Sequence, residues 1–152
     1  MKGEPHPEDG MGNLSRILQR RSPVVHPLGP DETVATAVAI MTRFGVGALP
    51  VVEGERLVGI FSERDLLRRV VAAGLSADSV PLGEVMTVDP VTAGPRELRL
   101  VALEKMRSGS CRHLPIVADG VVLDMLSMRD LLFDEIADRE AEIDELRQYI
   151  RS

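Results

Sequence analysis

Two tetrads, Ser62-Glu63-Arg64-Asp65 and Ser127-Met128-Arg129-Asp130, place a hydroxyl and a carboxylate three residues apart after a short apolar run. That spacing permits two kinds of chemistry. At a helix start, the serine oxygen accepts from the N–H three residues on, and the acid reaches back to the serine N–H, forming a capping box. Facing a cleft, the same carboxylate is an acceptor with several lone pairs. It can then take hydrogen bonds from two adjacent ribose hydroxyls. The helix start beside it attracts phosphate through free N–H groups and the positive end of the dipole. On this second reading Asp65 and Asp130 serve the sugar. Ser62, Glu63, Arg64, Ser127, Met128 and Arg129 border the sugar or the anion. The two readings are compatible.

A second constellation is Arg112-His113, just before Leu114-Pro115. The guanidinium is a planar fork suited to phosphate, and a protonated imidazole adds a donor. The bland alternative is a solvated strand end. Cys111 is the only cysteine, so no internal disulfide is possible. Although His113 lies two residues away, a free cysteine usually behaves as a small hydrophobe, and Cys111 is read as a buried thiol.

The elements that must position these residues come from a duplication. Shifting the chain by 65 residues aligns 29–67 with 94–132 without a gap, giving 13 identities in 39 columns. Chance at average composition gives about 2 or 3, so the repeat is real. Each copy opens on a short extended piece, near Val24-Val25 and Val91-Thr92. A helix follows, over 31–44 and 96–109, with apolar residues at helical spacing in the first copy (Val34, Ala37, Val38, Met41). Gly45 and Gly109 read as helix stops. Two strands joined by a turn with Gly54 or Gly120 come next, and the tetrad starts a second helix. The predicted fold is α+β: two β-α-β-β-α repeats packed with pseudo-twofold symmetry, because one such unit buries little core alone. Residues 1–13 read as a disordered tail, 14–73 as the first repeat, 74–85 as a linker containing at most one helical turn, and 86–137 as the second repeat. Residues 138–152 extend the last helix.

Composition narrows the function. The net charge of −6 argues against sequence-independent nucleic-acid binding, which needs many cationic phosphate contacts. No apolar run approaches a membrane span, and the N-terminus lacks a signal-peptide core. A cytoplasmic protein with no nucleic-acid or membrane partner is expected. There is no P-loop, no GxSxG and no metal-spaced His/Cys cluster, so neither an enzyme nor a metal site is expected.

The pattern LPVV-x5-LVGI-x-S-x-x-DLL at 49–67, with HLPIV and SMRDLL in the second copy and VMTVDP at 85–90, resembles the CBS domain (cystathionine-β-synthase type). The likeness covers about residues 14–137, and two repeats side by side resemble the tandem pair known as a Bateman module. The resemblance implies clefts that bind adenosine-containing ligands, such as AMP, ADP, ATP or S-adenosylmethionine, and that regulate a partner protein. It implies no catalytic cofactor; the adenine nucleotide is a regulatory ligand. Ribose contact falls to Asp65 and Asp130, and phosphate contact to Arg112 and His113. The adenine pocket falls to Val24, Val25 and His26 in one copy and Thr87, Val88 and Asp89 in the other. Arg112 could share a site with either carboxylate. One departure stands out: Asp124 aligns with Gly59, where the family usually has glycine. Its charge beside the tetrad puts one cleft in doubt.

Beyond the repeat, 131–152 lacks Gly and Pro, and Leu132, Ile136, Ile143, Leu146 and Ile150 follow near-heptad spacing. Such a helix needs cover for its stripe, and a second copy in a homodimer is the expected cover. A ligand-free structural or protein-interaction module is the alternative function.

Overall fold

A computed structural model describes residues 12–151. The tail expected to be disordered therefore lies mostly outside the described residues. Asn13, at its end, is ordered: its side chain accepts from Ser15 N and caps α1 (Leu14–Arg20). The remaining elements, in chain order, are α2 (Val34–Phe44), β1 (Ala48–Glu53), β2 (Arg56–Ser62), α3 (Glu63–Asp65), α4 (Leu82–Val85), β3 (Thr87–Val88), α5 (Arg99–Ser108), β4 (His113–Ala118), β5 (Val121–Ser127) and α6 (Met128–Arg151). Beyond Asp65, α3 continues in π-type turns over Leu66–Val71.

The two hairpins are near copies. β1 pairs with β2 and β4 with β5, both antiparallel, with register shifts at Val51/Val52 and Ile116/Val117, 65 residues apart. β2 and β5 meet at Arg56↔Val121, giving the order β1-β2-β5-β4 with β3 added to β2. Alternation puts Leu49, Val51 and Phe61 on one core and Leu114, Ile116 and Leu126 on the other, all fully buried. Between the halves, Ala48, Ile60 and Met125 form a small buried cluster. In the second hairpin Asp119 and Gly120 take φ of 52° and 81°, as a two-residue turn with both centres left-handed requires.

Each core borrows a helix from across the repeat boundary. Leu14 and Ile17 of α1 pack with Ala102, Met106, Leu114 and Leu126 of the second repeat. The predicted linker turn is α4, and its Leu82 and Val85 pack into the first repeat's core with Val34 and Met41. Matching hydrogen bonds lock both: Leu14 N donates to Glu97 O (3.0 Å) and Leu82 N to Glu32 O (2.8 Å).

Three local expectations need correction. The opening strand of the second copy is Thr87–Val88, not Val91–Thr92, and it pairs with Gly59 and Ile60 of the first copy. Val24-Val25 forms no strand, because Pro23 has no N–H to give a ladder and Val24 N donates to the Asp124 carboxylate instead (3.0 Å). The helix stops differ as well. Gly45 takes the left-handed C-cap (φ 64°), whereas Gly109 stays right-handed and Ser110 carries the positive φ of 50°.

The first half of α6 is clamped by charge. Asp134 and Asp138 accept from Arg99 at 2.7 and 2.9 Å, and Arg16 and Arg20 reach the same acids at 3.3 and 3.4 Å. From residue 139 to 151 no side chain is buried. Among the described residues no helix is long and apolar enough to cross a membrane.

Candidate ligand clefts

Both tetrads form the caps that their spacing implies. Asp65 Oδ2 accepts from Ser62 N at 3.0 Å, and Ser62 Oγ accepts from Asp65 N at 3.3 Å. In the second copy the distances are 2.7 and 3.1 Å. The next N–H is also used: Glu63 N donates to Gly47 O and Met128 N to Arg112 O. The residue just before the leading strand of each hairpin thus closes the helix start from the side. At each tetrad two of the first three helix N–H groups are therefore already taken, those of Glu63 and Asp65 and those of Met128 and Asp130.

The tetrads open onto two clefts, of about 650 and 500 Å³, within the range of small-molecule sites. The larger joins Val24, Val25 and His26 of the first repeat to Ser127, Met128, Arg129 and Asp130 of the second. The smaller joins Thr87 and Asp89 of the second repeat to Ser62, Glu63, Arg64 and Asp65 of the first. Each cleft therefore draws its carboxylate from one repeat and its opening segment from the other. Glu63, Arg112 and His113 line both. Arg112 belongs to neither carboxylate alone; it stands in the wall between the clefts. Val88 is the one candidate that lines neither cleft; it is exposed on β3.

The opening segments share a backbone device. His26 and Asp89, each before a proline, have φ of 49° and 46°, a rare conformation for side-chain-bearing residues. It turns the chain along the cleft wall. His26 stacks on Phe44 with ring centroids 4.0 Å apart, so the larger cleft has an aromatic wall. His113 packs against Gly47, where an added Cβ would lie 2.9 Å from the imidazole. Burial lowers the His113 pKa, against the pull of Glu63 and Asp130, and Arg112 lowers it further. A neutral ring offers an anion one N–H and no charge, unlike the protonated donor that its position first suggests. Cys111 sits in the turn before β4 and not on the strand, and burial raises its pKa, keeping it a thiol.

The family profile of the CBS domain matches residues 14–72 and 82–134. The chain belongs to the CBS-domain family. The CBS domain-containing protein CBSX3, mitochondrial, of Arabidopsis thaliana is 35% identical over 126 residues, which is 80% of this chain and 61% of that protein. This chain thus spans under two thirds of that relative. A solved protein with CBS domains from Burkholderia ambifaria MC40-6 superposes with a TM-score of 0.78 at 29% identity, covering 83% of this chain and 95% of its own. A CBS domain protein from Pyrobaculum aerophilum, solved in complex with AMP, gives 0.69 at 30% identity, covering 78% and 88%. The chain carries a tandem CBS pair, a regulatory module.

The CBS pair is not symmetric at its carboxylates. Asp65 is buried, and its Oδ1 accepts from Thr87 Oγ1 at 3.0 Å, with Arg69 Nε at 3.6 Å. Asp130 is 34% exposed and meets a different guanidinium, Arg21 Nη1, at 3.2 Å. The other nitrogen, Nη2, lies 3.0 Å from Asp124. Asp124 is fully buried, and its Oδ1 also accepts from Val24 N and Met125 N. Its charge is paired at its own site rather than projected into the cleft. Arg21 was not among the expected residues. The available signal was the buried acid itself, which needs a cation, with Arg20-Arg21 just upstream of the opening segment.

Proposed function

We propose that this CBS pair binds an adenosine-containing ligand, such as AMP, ADP, ATP or S-adenosylmethionine, in the clefts between its repeats, and that occupancy regulates a partner protein. The observation that carries this reading is the crossed assembly of each cleft. A helix-capping carboxylate from one repeat, a left-handed opening segment from the other and the shared Arg112 converge on a cavity of nucleotide size. The carboxylate suits ribose hydroxyls, Arg112 suits phosphate, and Val24, Val25 and the His26–Phe44 stack suit a base. The AMP complex of the Pyrobaculum relative supports the ligand class. A second copy of the chain is the proposed cover for α6, whose Ile136, Ile143, Leu146 and Ile150 are all exposed.

The capping bonds already made by Asp65 and Asp130 favour one competing reading, a ligand-free interaction module. Isothermal titration with the four ligands decides between them. Saturable binding that Asp65→Ala or Asp130→Ala weakens, and that Arg112→Ala weakens more for AMP than for adenosine, is the expected result. No binding by any of the four at millimolar concentration leaves the interaction module.

A further inference from the structure

We propose that the larger cleft is the primary nucleotide site, and that the smaller cleft is secondary because the protein itself saturates its carboxylate. The inference rests on the ligand class proposed above and concerns which cleft takes that ligand first. Asp65 Oδ2 accepts from both the N–H and the hydroxyl of Ser62, each at 3.0 Å. Its Oδ1 accepts from Thr87 Oγ1 and has Arg69 Nε at 3.6 Å, and the side chain is 7% exposed. A sugar hydroxyl reaches Asp65 only by displacing one of these donors inside a buried site. Asp130 Oδ2 accepts from Ser127 N and meets Arg21 Nη1. Its Oδ1 has no hydrogen bond or ion pair among the described residues, and the side chain is 34% exposed. One carboxylate oxygen with its lone pairs is thus open to ribose hydroxyls.

Three differences between the repeats produce this. Val24 stands two residues before the left-handed His26, as Thr87 stands two before Asp89, so no hydroxyl occupies that position against Asp130. Asp134 stands four residues after Asp130, as Arg69 stands four after Asp65. It pairs with Arg99 and brings the tetrad no cation. Phe44 aligns with Gly109, so the His26–Phe44 stack, a flat surface for a base, belongs to the larger cleft. The tetrad arginines diverge as well. Arg64 Nη1 donates to Ser110 O at 2.6 Å, an exposed bond that ties one repeat to the other where both residues line the smaller cleft. Arg129 stays on its own helix, over the Phe133 ring, and among the described residues it makes no bond across the larger cleft.

The test is isothermal titration of the full chain with AMP, joined to alkylation of Cys111 by iodoacetamide. Cys111 is the only cysteine and lines the smaller cleft but not the larger, so it reports which cleft fills. Wild type should bind a first equivalent per chain at least tenfold more tightly than any second. Asp130→Ala and Phe44→Ala should each weaken that first equivalent at least tenfold. Phe44 is half exposed, so its variant serves if Asp130→Ala folds poorly. With the first equivalent bound, the rate of Cys111 alkylation should stay within twofold of that of the free protein. Two equal equivalents in wild type overturn the inference. So does protection of Cys111 beyond twofold by the first equivalent, or a first equivalent unchanged in both variants. In each of these cases the nucleotide reading stands. Absence of AMP binding by wild type overturns both.

Discussion

The Arg21–Asp124 pair makes a stability prediction that is independent of any ligand. Asp124 is fully buried, and beyond two backbone N–H groups its carboxylate has only the Arg21 guanidinium, 3.0 Å away. Its second oxygen has no hydrogen-bond partner. Arg21→Ala leaves that charge in the core without a cation. Breaking a buried pair from one side costs roughly 3–5 kcal/mol. The two remaining N–H donors place this case near the lower end, about 3 kcal/mol. Asp124→Gly removes the acid, strands Val24 N and Met125 N, and leaves Arg21 on Asp130, so its cost is also about 2–3 kcal/mol through the orphaned donors. The double variant loses the pair as a unit. It should be less destabilised than the sum of the single variants by about 2 kcal/mol, a coupling of the size expected for residues in direct contact. Urea unfolding of the four proteins, at constant m-value, measures the cycle. A cost below about 1 kcal/mol for Arg21→Ala, or additivity within about 0.5 kcal/mol, refutes the claim that Arg21 is what Asp124 needs.

Two further predictions concern acid and assembly. Burial lowers the His113 pKa below its usual 6.5, so the unfolded chain binds that proton more readily than the folded one; stability should fall as pH drops through about 6.5 and level off below the folded value. His113→Ala, the residue at the matching position of the first repeat, should flatten that slope in urea titrations between pH 7.5 and 5, and an unchanged slope removes His113 as its source. For α6, Ile143→Lys with Leu146→Lys should convert a dimer to a monomer in light scattering, because both side chains lie on the exposed stripe; a wild type that is monomeric at high micromolar concentration removes the second copy as its cover.

The duplication was legible because side-chain periodicity and turn chemistry are local. Leu49-Pro50 and Leu114-Pro115, the two turns and both serine caps follow from neighbours in sequence, and the structure places each of them accordingly. The crossing of α1 and α4 was not legible. A one- or two-turn helix with two or three apolar residues states that it must be covered, not by which core. The same holds for Arg112, whose position between two clefts depends on how the hairpins meet at Arg56↔Val121.

Asp124 shows where local reading ends. Alignment of the repeats identifies it as an acid in a glycine position, and physical chemistry adds that a buried acid needs a partner. The partner sits a hundred residues upstream, in the stretch where the two copies stop aligning, so the repeat that reveals the acid cannot reveal the cation. This asymmetry also bears on function. Two identical clefts sharing Glu63, Arg112 and His113 would respond to a ligand over one range of concentration. Here the carboxylates differ: Asp65 is buried and meets Thr87 Oγ1 with Arg69 Nε at 3.6 Å, whereas Asp130 is 34% exposed and meets Arg21 Nη1 at 3.2 Å, so a ligand of the proposed class should fill the two clefts with unequal affinity.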